Sequence, residues 1–186
     1  MTVKGKIRII GGRYRGRKIS VVHEEIRPTS DRVRETLFNW LSPILVNKCC
    51  LDLFAGTGIL GIEALSRGAR KVVFVDHQED IVSEIKNQTT KLQLNNASVL
   101  LSDSFSYLEN PKHLGPFDII FLDPPFGVYS LEKLLEYIDK TKLLNAQGMV
   151  YYESNQSLEN NMISNSWDNY RESNAGNVYY GLLTKK

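Results

Sequence analysis

The sequence predicts an α/β domain, with a mostly parallel sheet covered by helices on both faces and a small basic β-hairpin in front of it. Three observations predict this. From Lys48 onward, short apolar runs alternate with segments of helical periodicity. The run Phe117-Asp-Ile-Ile-Phe-Leu122 is apolar except for Asp118, the pattern of a strand covered on both faces. The basic residues are crowded at the front: residues 1–34 hold ten Lys or Arg against three acids, and the remainder holds 13 basic against 18 acidic groups. Repeated β-α units imply right-handed crossovers and a parallel sheet.

The elements follow in order. Lys6-Ile-Arg-Ile-Ile10 alternates, Gly11 to Gly16 is a glycine-rich turn region, and Arg17-Lys-Ile-Ser-Val-Val22 returns as a second strand. A two-stranded piece is marginal alone, so this hairpin must lean on the rest of the chain or order on its target. A connector ends at Arg27-Pro28-Thr29. Ser30 and Asp31 are N-cap candidates for a helix with Val33, Leu37, Phe38 and Leu41 on one face, closed by Pro43. Cys49 to Phe54 reads as a strand, Gly56 to Gly61 as a turn opening a helix that runs to Arg67, and Gly68 as its C-terminal glycine. Lys71–Val75 is a second strand of the body, 78–94 a helix, Ser98–Leu101 a third strand, and Phe117–Leu122 a fourth. Leu131–Lys140 is a helix and Gly148–Tyr152 a fifth strand. The tail gives a helix near 157–164 and strands near 167–172 and 177–184. The one boundary lies near residue 24, between a basic hairpin extension (1–23) and the α/β body (24–186).

Composition narrows the classes. Apolar residues make up 42% and charged residues 24% of the 186, which suits a globular rather than a disordered chain. No apolar run has the length a bilayer requires, and the N-terminus lacks the apolar core of a secretory signal, so a cytoplasmic location is expected. Cys49 and Cys50 are adjacent, and strand neighbours point to opposite faces, so no disulfide is expected between them. No metal-site spacing is present and no metal is expected. The basic front end, with Tyr14 among its arginines, suits a polyanion partner through phosphate contact and base stacking.

In parallel sheets, ligands bind beyond the C-terminal ends of the strands. Four signals fall there. Asp52-Leu-Phe-Ala-Gly-Thr-Gly58 is a glycine loop that lets backbone pass close to a ligand, although Gly56-x-Gly58-x-x-Gly61 also fits a dinucleotide fingerprint. Asp76 ends the next strand, where a carboxylate can accept both hydroxyls of a ribose. It does not separate a nicotinamide cofactor from S-adenosylmethionine. Asp103, in Leu101-Ser-Asp-Ser-Phe105, can accept from an adenine amino group, with Phe105 packing nearby, or can cap a helix. Asp123-Pro124-Pro125-Phe126 closes the fourth strand. Its prolines lack N–H donors, so it presents acceptors from a stiff turn, with Phe126 offering a face to a flat base.

On these residues the chain resembles the amino-directed S-adenosylmethionine methyltransferases, whose fourth motif is Asp/Asn-Pro-Pro-Tyr/Phe/Trp. It resembles more closely the RsmD family, the bacterial 16S ribosomal RNA guanine-N2 methyltransferases. The matching stretches are Arg8–Lys18, Arg27–Leu41, Asp52–Arg67, Asp123–Phe126 and Val150–Ser154. The resemblance implies a Rossmann-like methyltransferase fold with a mostly parallel seven-stranded sheet. It implies cofactor contacts from Asp52, Phe54, Ala55, Gly56, Thr57 and Gly58, with Phe54 to Gly58 cradling the methionine end. Asp76 would hold the ribose, and Asp103, Ser104 and Phe105 would face the adenine. Asp123, Pro124, Pro125 and Phe126 would hold the target guanine. Arg8, Arg13, Tyr14, Arg15, Arg17 and Lys18, with Arg27, Arg32 and Arg34, would meet RNA. The expected partner is 16S ribosomal RNA within a small-subunit particle, the expected cofactor is S-adenosylmethionine, and the chain is expected to act as a monomer.

The alternatives are distinguishable. A nicotinamide-dependent oxidoreductase shares the glycine loop and Asp76, but usually starts with that loop and follows it with a substrate domain. An amino-methyltransferase acting on another RNA or DNA base, such as adenine N6, shares the Asp-Pro-Pro motif. The DNA enzymes normally add a target-recognition segment. A protein glutamine methyltransferase would more often have Asn where Asp123 stands. A non-catalytic RNA-binding module would need only the hairpin.

Overall fold

The computed structural model describes residues 5–22, 29–110, 115–158 and 166–186. Arg27 and most of the helix expected near 157–164 lie outside the described residues. Two short strands, β1 (Gly5–Arg8) and β2 (Lys18–Val21), pair antiparallel as the expected hairpin. Helix α1 (Asp31–Leu41) starts at Ser30, whose side chain accepts from the Val33 N–H. The body then runs β3 (Cys49–Asp52), α2 (Ile59–Ser66), β4 (Lys71–Asp76), α3 (Glu79–Lys91), β5 (Ala97–Leu101), α4 (Ser104–Glu109), β6 (Phe117–Leu122), α5 (Leu131–Lys140), β7 (Leu144–Ser154), β8 (Trp167–Ala175) and β9 (Val178–Lys185).

Strands β3 to β9 form one seven-stranded sheet in the order β5-β4-β3-β6-β7-β9-β8. Strands β3 to β7 pair in parallel, and β9 runs antiparallel to both neighbours. The chain steps outward from β3 to β4 and β5, then returns to the other side of β3 with β6. This reversal opens a crevice at the carboxyl ends of β3 and β6, where open α/β sheets bind ligands.

Period-two alternation divides the buried side chains between two cores. Cys50, Val72, Phe74, Ile119 and Phe121 face α1, α2, α3 and the hairpin. Leu51, Val73, Val75, Ile120 and Leu122 face α4 and α5. The hairpin belongs to the first core: Ile9 and Ile19 are fully buried, and Ile7 and Val21 nearly so. It therefore leans on the body, as a two-stranded piece must. Its turn is pinned to the last turns of α2. Ile10 N–H donates to Glu63 (2.6 Å), Tyr14 N–H to Ser66 Oγ (3.0 Å), and Ser66 Oγ to the Gly11 carbonyl (2.6 Å). Gly12 sits at φ +73°, and a Cβ there would stand 2.0 Å from the Ser66 carbonyl oxygen.

Two differences from the expected elements have local causes. Strand β7 starts at Leu144 rather than Gly148 because a register shift in β6–β7 lets Leu144 pair with Phe117. Helix α4, read from the sequence only through the capping alternative for Asp103, has six residues, too few for a periodic pattern, and is fixed by that cap and by burial of Tyr107 and Leu108. Asp118 interrupts an apolar strand because its carboxylate accepts from Cys49 N–H (2.8 Å) and Asn145 (3.0 Å) and faces Lys48, which together hold it below the usual carboxylate range against the cost of burial. Cys49 and Cys50 are free thiols, and burial pushes the Cys50 thiol up.

Candidate active site

The crevice is a cleft of about 560 Å³ lined by Thr29, Ser30 and Val33 at the start of α1, by Asp52, residues 54–57, Ile59 and Leu60, by Asp76 to Gln78 and Ile81, by Asp123 to Phe126, Tyr129 and Glu153, and by Ala175 and Val178 from the tip of β8–β9. The glycine loop forms one wall. Ala55 N–H donates to the Val75 carbonyl (3.0 Å) and Gly58 N–H to the Ala55 carbonyl (2.6 Å), folding the loop back over the end of β4. Gly56 and Gly58 both take positive φ, +50° and +74°, which strongly favours glycine. Asp52 is buried beneath the loop and accepts from Gly61 N–H at the start of α2 (3.0 Å). Burial, with the nearby charge of Asp76, pushes its carboxyl up to about 7 against that hydrogen bond.

Asp76 stands at the end of β4 as expected. One carboxylate oxygen accepts from Gly56 N–H (2.9 Å) and the other from Gln78 N–H (3.0 Å), so it holds the loop in shape while lining the cleft. Asp103 caps α4, accepting from Ser106 N–H (2.9 Å), and Ser104 Oγ donates to the Leu53 carbonyl (3.0 Å). Phe105 packs on Tyr129 (5.6 Å between centroids), which packs on Phe54 (5.0 Å). This aromatic chain ties the β6 turn to the glycine loop.

The Asp123-Pro-Pro-Phe turn forms the opposite wall. The Pro125 carbonyl accepts from Val128 N–H (3.2 Å), closing a turn that leaves Phe126 44% exposed at the mouth. Asp123 is half-buried at the end of β6. Thr29 Oγ1 lies 3.3 Å from its Oδ2 and donates to Glu153 Oε1 at 2.7 Å; Tyr151 OH donates to the same Glu153 oxygen at 2.9 Å. Burial, followed by the Glu153 charge, raises Asp123 well above the usual carboxylate range, and burial raises Glu153 also.

The expected RNA contacts divide. Arg8, Arg13, Arg15, Arg17, Lys18 and Arg32 are exposed, and Tyr14 lies under the guanidinium groups of Arg13 (5.5 Å) and Arg17 (5.8 Å). Arg34 does not belong with them. It is fully buried, paired with Glu63 (2.8 Å) and Asp31, and donates to the Arg8 (3.1 Å) and Thr29 (3.2 Å) carbonyls. It is an internal strut between α1, α2 and the hairpin, and no RNA phosphate reaches it. The resemblance implied that the segment Arg27 to Arg34, which holds Thr29, lies near the cofactor or RNA, and Thr29 lines the cleft; sequence reasoning missed Glu153 and Tyr129 there. The signal for Glu153 was an acid directly following the apolar run Met149–Tyr152.

The cleft suits S-adenosylmethionine. Four acidic side chains (Asp52, Asp76, Asp123 and Glu153) line it and offer hydrogen-bond acceptors to a polar ligand. Asp76 offers acceptors to a diol, Ile81 and Phe54 offer apolar surface, and the glycine loop allows close backbone approach.

Sheet order, glycine loop and acidic strand ends together define a methyltransferase of the S-adenosylmethionine-binding class. The family described as Conserved hypothetical protein 95 has a model that matches residues 7–184, and the chain belongs to that family. It is 39% identical over 182 residues to Ribosomal RNA small subunit methyltransferase D of Haemophilus influenzae, covering 96% of this chain and 94% of that one. It is 40% identical over 185 residues to the protein of the same name from Escherichia coli K12, covering 98% and 91%. The solved structure of Escherichia coli yhhF superposes with a TM-score of 0.88 at 39% identity, covering 98% of this chain and 99% of that one.

Proposed function

We propose that this methyltransferase transfers a methyl group from S-adenosylmethionine to the exocyclic N2 amine of a guanine in 16S ribosomal RNA of the small subunit. The observation that carries the reading is the Asp123-Pro124-Pro125-Phe126 turn facing the glycine loop across one cleft. The names borne by the relatives at 39–40% identity support ribosomal RNA as the substrate class.

The guanine amine is a poor nucleophile because its lone pair is delocalised into the ring. S-adenosylmethionine, when bound, supplies an electrophilic methyl on a sulfonium. Asp123 and the Pro124 carbonyl accept the two amine hydrogens and turn the lone pair toward that methyl. The contribution is positioning and electrostatics rather than strong base catalysis. Phe126 stacks on the base, which must be unpaired or flipped out of a helix to reach the cleft. The methylated amine is acidic, and Asp123 takes its proton or passes it to water. The exposed basic hairpin, within residues 1–23, contacts RNA phosphates as an extension of the methyltransferase domain, which acts as a monomer on a small-subunit particle. Arg32, exposed in the first turn of α1, joins that surface.

The test is transfer of labelled methyl to three substrates: small subunits lacking this modification, naked 16S RNA, and duplex DNA. Label recovered as N2-methylguanosine from the subunits supports the reading. Label in DNA alone, or in another base, overturns it.

A further inference from the structure

Two carboxylates at the carboxyl ends of neighbouring strands share one hydroxyl. Thr29 Oγ1 lies 2.7 Å from Glu153 Oε1 and 3.3 Å from Asp123 Oδ2. Thr29 has a single hydroxyl hydrogen and spends it on Glu153, the shorter contact. The second contact is then a hydrogen bond only when Asp123 carries a proton and donates it to Thr29 Oγ1. The geometry therefore describes a directed chain, Asp123–H to Thr29 to Glu153, with Glu153 as the terminal acceptor. Tyr151 OH also donates to the same Glu153 oxygen (2.9 Å), completing the acceptor's shell. Thr29 is held for this: Arg34 Nε donates to its carbonyl (3.2 Å), and its side chain is 6% exposed as a residue.

We propose that Glu153 is a positioning residue for methyl transfer, accepting through Thr29 the proton that Asp123 must give up before it can accept the target amine's hydrogens. The proposal rests on the reading of Asp123 given above. Protons balance at each stage. In the resting cleft the pair holds one proton, on Asp123. When the base enters, that proton moves to Thr29 Oγ1 as the Thr29 hydrogen moves to Glu153 Oε1, leaving Asp123 ionised and Glu153 neutral. Transfer forms the N–CH3 bond as the S–CH3 bond breaks. The excess N–H proton then goes to Asp123, and one proton leaves the pair to water through the open side of the cleft. Thr29 bridges the two carboxyl groups, and burial together with the Glu153 charge raises Asp123, which favours keeping one proton on the pair.

The other groups facing the pair are few among the described residues. Asp52 at the end of β3 adds negative charge to Asp123, Tyr151 of β7 donates to Glu153, and Tyr180 of β9 faces Tyr151. Arg34 reaches only the Thr29 backbone and is committed to Glu63 and Asp31.

The experiment has two arms. Carboxyl carbons of Asp123 and Glu153 are titrated by 13C NMR in the ligand-free wild type, Glu153→Gln and Thr29→Val. The expected result is two linked steps in the wild type, and an Asp123 step moved to lower pH by about one unit or more in Glu153→Gln, because the neighbouring negative charge is gone. An Asp123 titration identical in wild type and Glu153→Gln overturns the proposal. In the second arm, single-turnover methylation of unmodified small subunits is followed against pH. Wild-type rates should rise with pH in two steps and Glu153→Gln in one, with S-adenosylmethionine affinity unchanged. Thr29→Val should lose roughly tenfold or more in rate near neutral pH, and Thr29→Ser should recover most of it. Rates lowered equally at every pH in all variants would mean a merely structural role. Asp123→Ala separates the two ideas: full activity in that variant removes the underlying reading, whereas an inactive Asp123→Ala beside unshifted Glu153→Gln and Thr29→Val removes only the relay.

Discussion

Replacing Arg34 by Met should unfold this protein more easily without touching any RNA-facing surface. Met keeps the apolar stem and deletes the guanidinium, which makes four contacts: Glu63, Asp31, and the Arg8 and Thr29 carbonyls. Arg34 and Glu63 are both fully buried. Removing one partner of such a pair strands the other's charge, at a cost of roughly 3–5 kcal/mol. Glu63 retains Arg67 Nε (3.2 Å) and Ile10 N–H (2.6 Å), so the lower end, about 3 kcal/mol, is expected. With a urea slope of about 2 kcal/mol/M, the unfolding midpoint falls by about 1.5 M. The double variant Arg34→Met/Glu63→Leu removes both charges and should recover about 1–3 kcal/mol relative to the sum of the single changes. The assay is equilibrium urea unfolding followed by circular dichroism. A midpoint that stays put while RNA affinity drops would refute the reasoning, because it would return Arg34 to the RNA-contacting surface.

Other outcomes follow from the same contacts. Asp52 is raised to about 7 in the folded protein, so below its unfolded value near 4 it costs nothing; stability falls as pH climbs from about 4 to about 7, by up to about 4 kcal/mol. Asp52→Asn keeps an acceptor for Gly61 N–H and should flatten that part of the slope; denaturant midpoints at pH 5 and pH 8 that differ as much as in wild type would count against it. Gly12→Ala places a Cβ 2.0 Å from the Ser66 carbonyl at φ +73°, which should lift the hairpin from α2 and lower the melting temperature by roughly 5 °C. RNA affinity should fall with it, and an unchanged melting curve would mean the hairpin docks differently. Phe126→Ala removes an exposed ring at the cleft mouth and, from stacking of about 1–3 kcal/mol, should raise KM for RNA roughly tenfold while leaving S-adenosylmethionine affinity, measured by calorimetry, unchanged.

Much of the fold was legible because it is local. Short continuous apolar runs announced β3, β4 and β6, and the mean spacing of apolar residues announced α1, α3 and α5 close to their observed limits. The glycine loop, Asp76 and the Asp-Pro-Pro-Phe turn were legible for the same reason: each is a short contiguous motif whose backbone demands particular residues. Glycines at positive φ and prolines without donors carry their geometry with them. Asp103 was readable as a cap by its place before Ser104 and Phe105, and the structure shows that cap.

Basic charge in a sequence does not say whether it faces water. Arg34 sits in a run with Arg27 and Arg32, and nothing within several residues distinguishes it. Its burial is decided by Glu63, 29 positions away on α2. The same holds for the carboxylate pair. Thr29 meets Asp123 across 94 positions and Glu153 across 124, and only the order β3-β6-β7 places those two strand ends side by side over the start of α1. The sequence by itself determined most of the elements, the motifs at the strand ends and the family they belong to, because local backbone preference and side-chain pattern suffice for these. The tertiary structure alone decided which charges are buried, which acids share the Thr29 hydroxyl and which face the cleft, because these depend on the dielectric and partners that distant segments bring together.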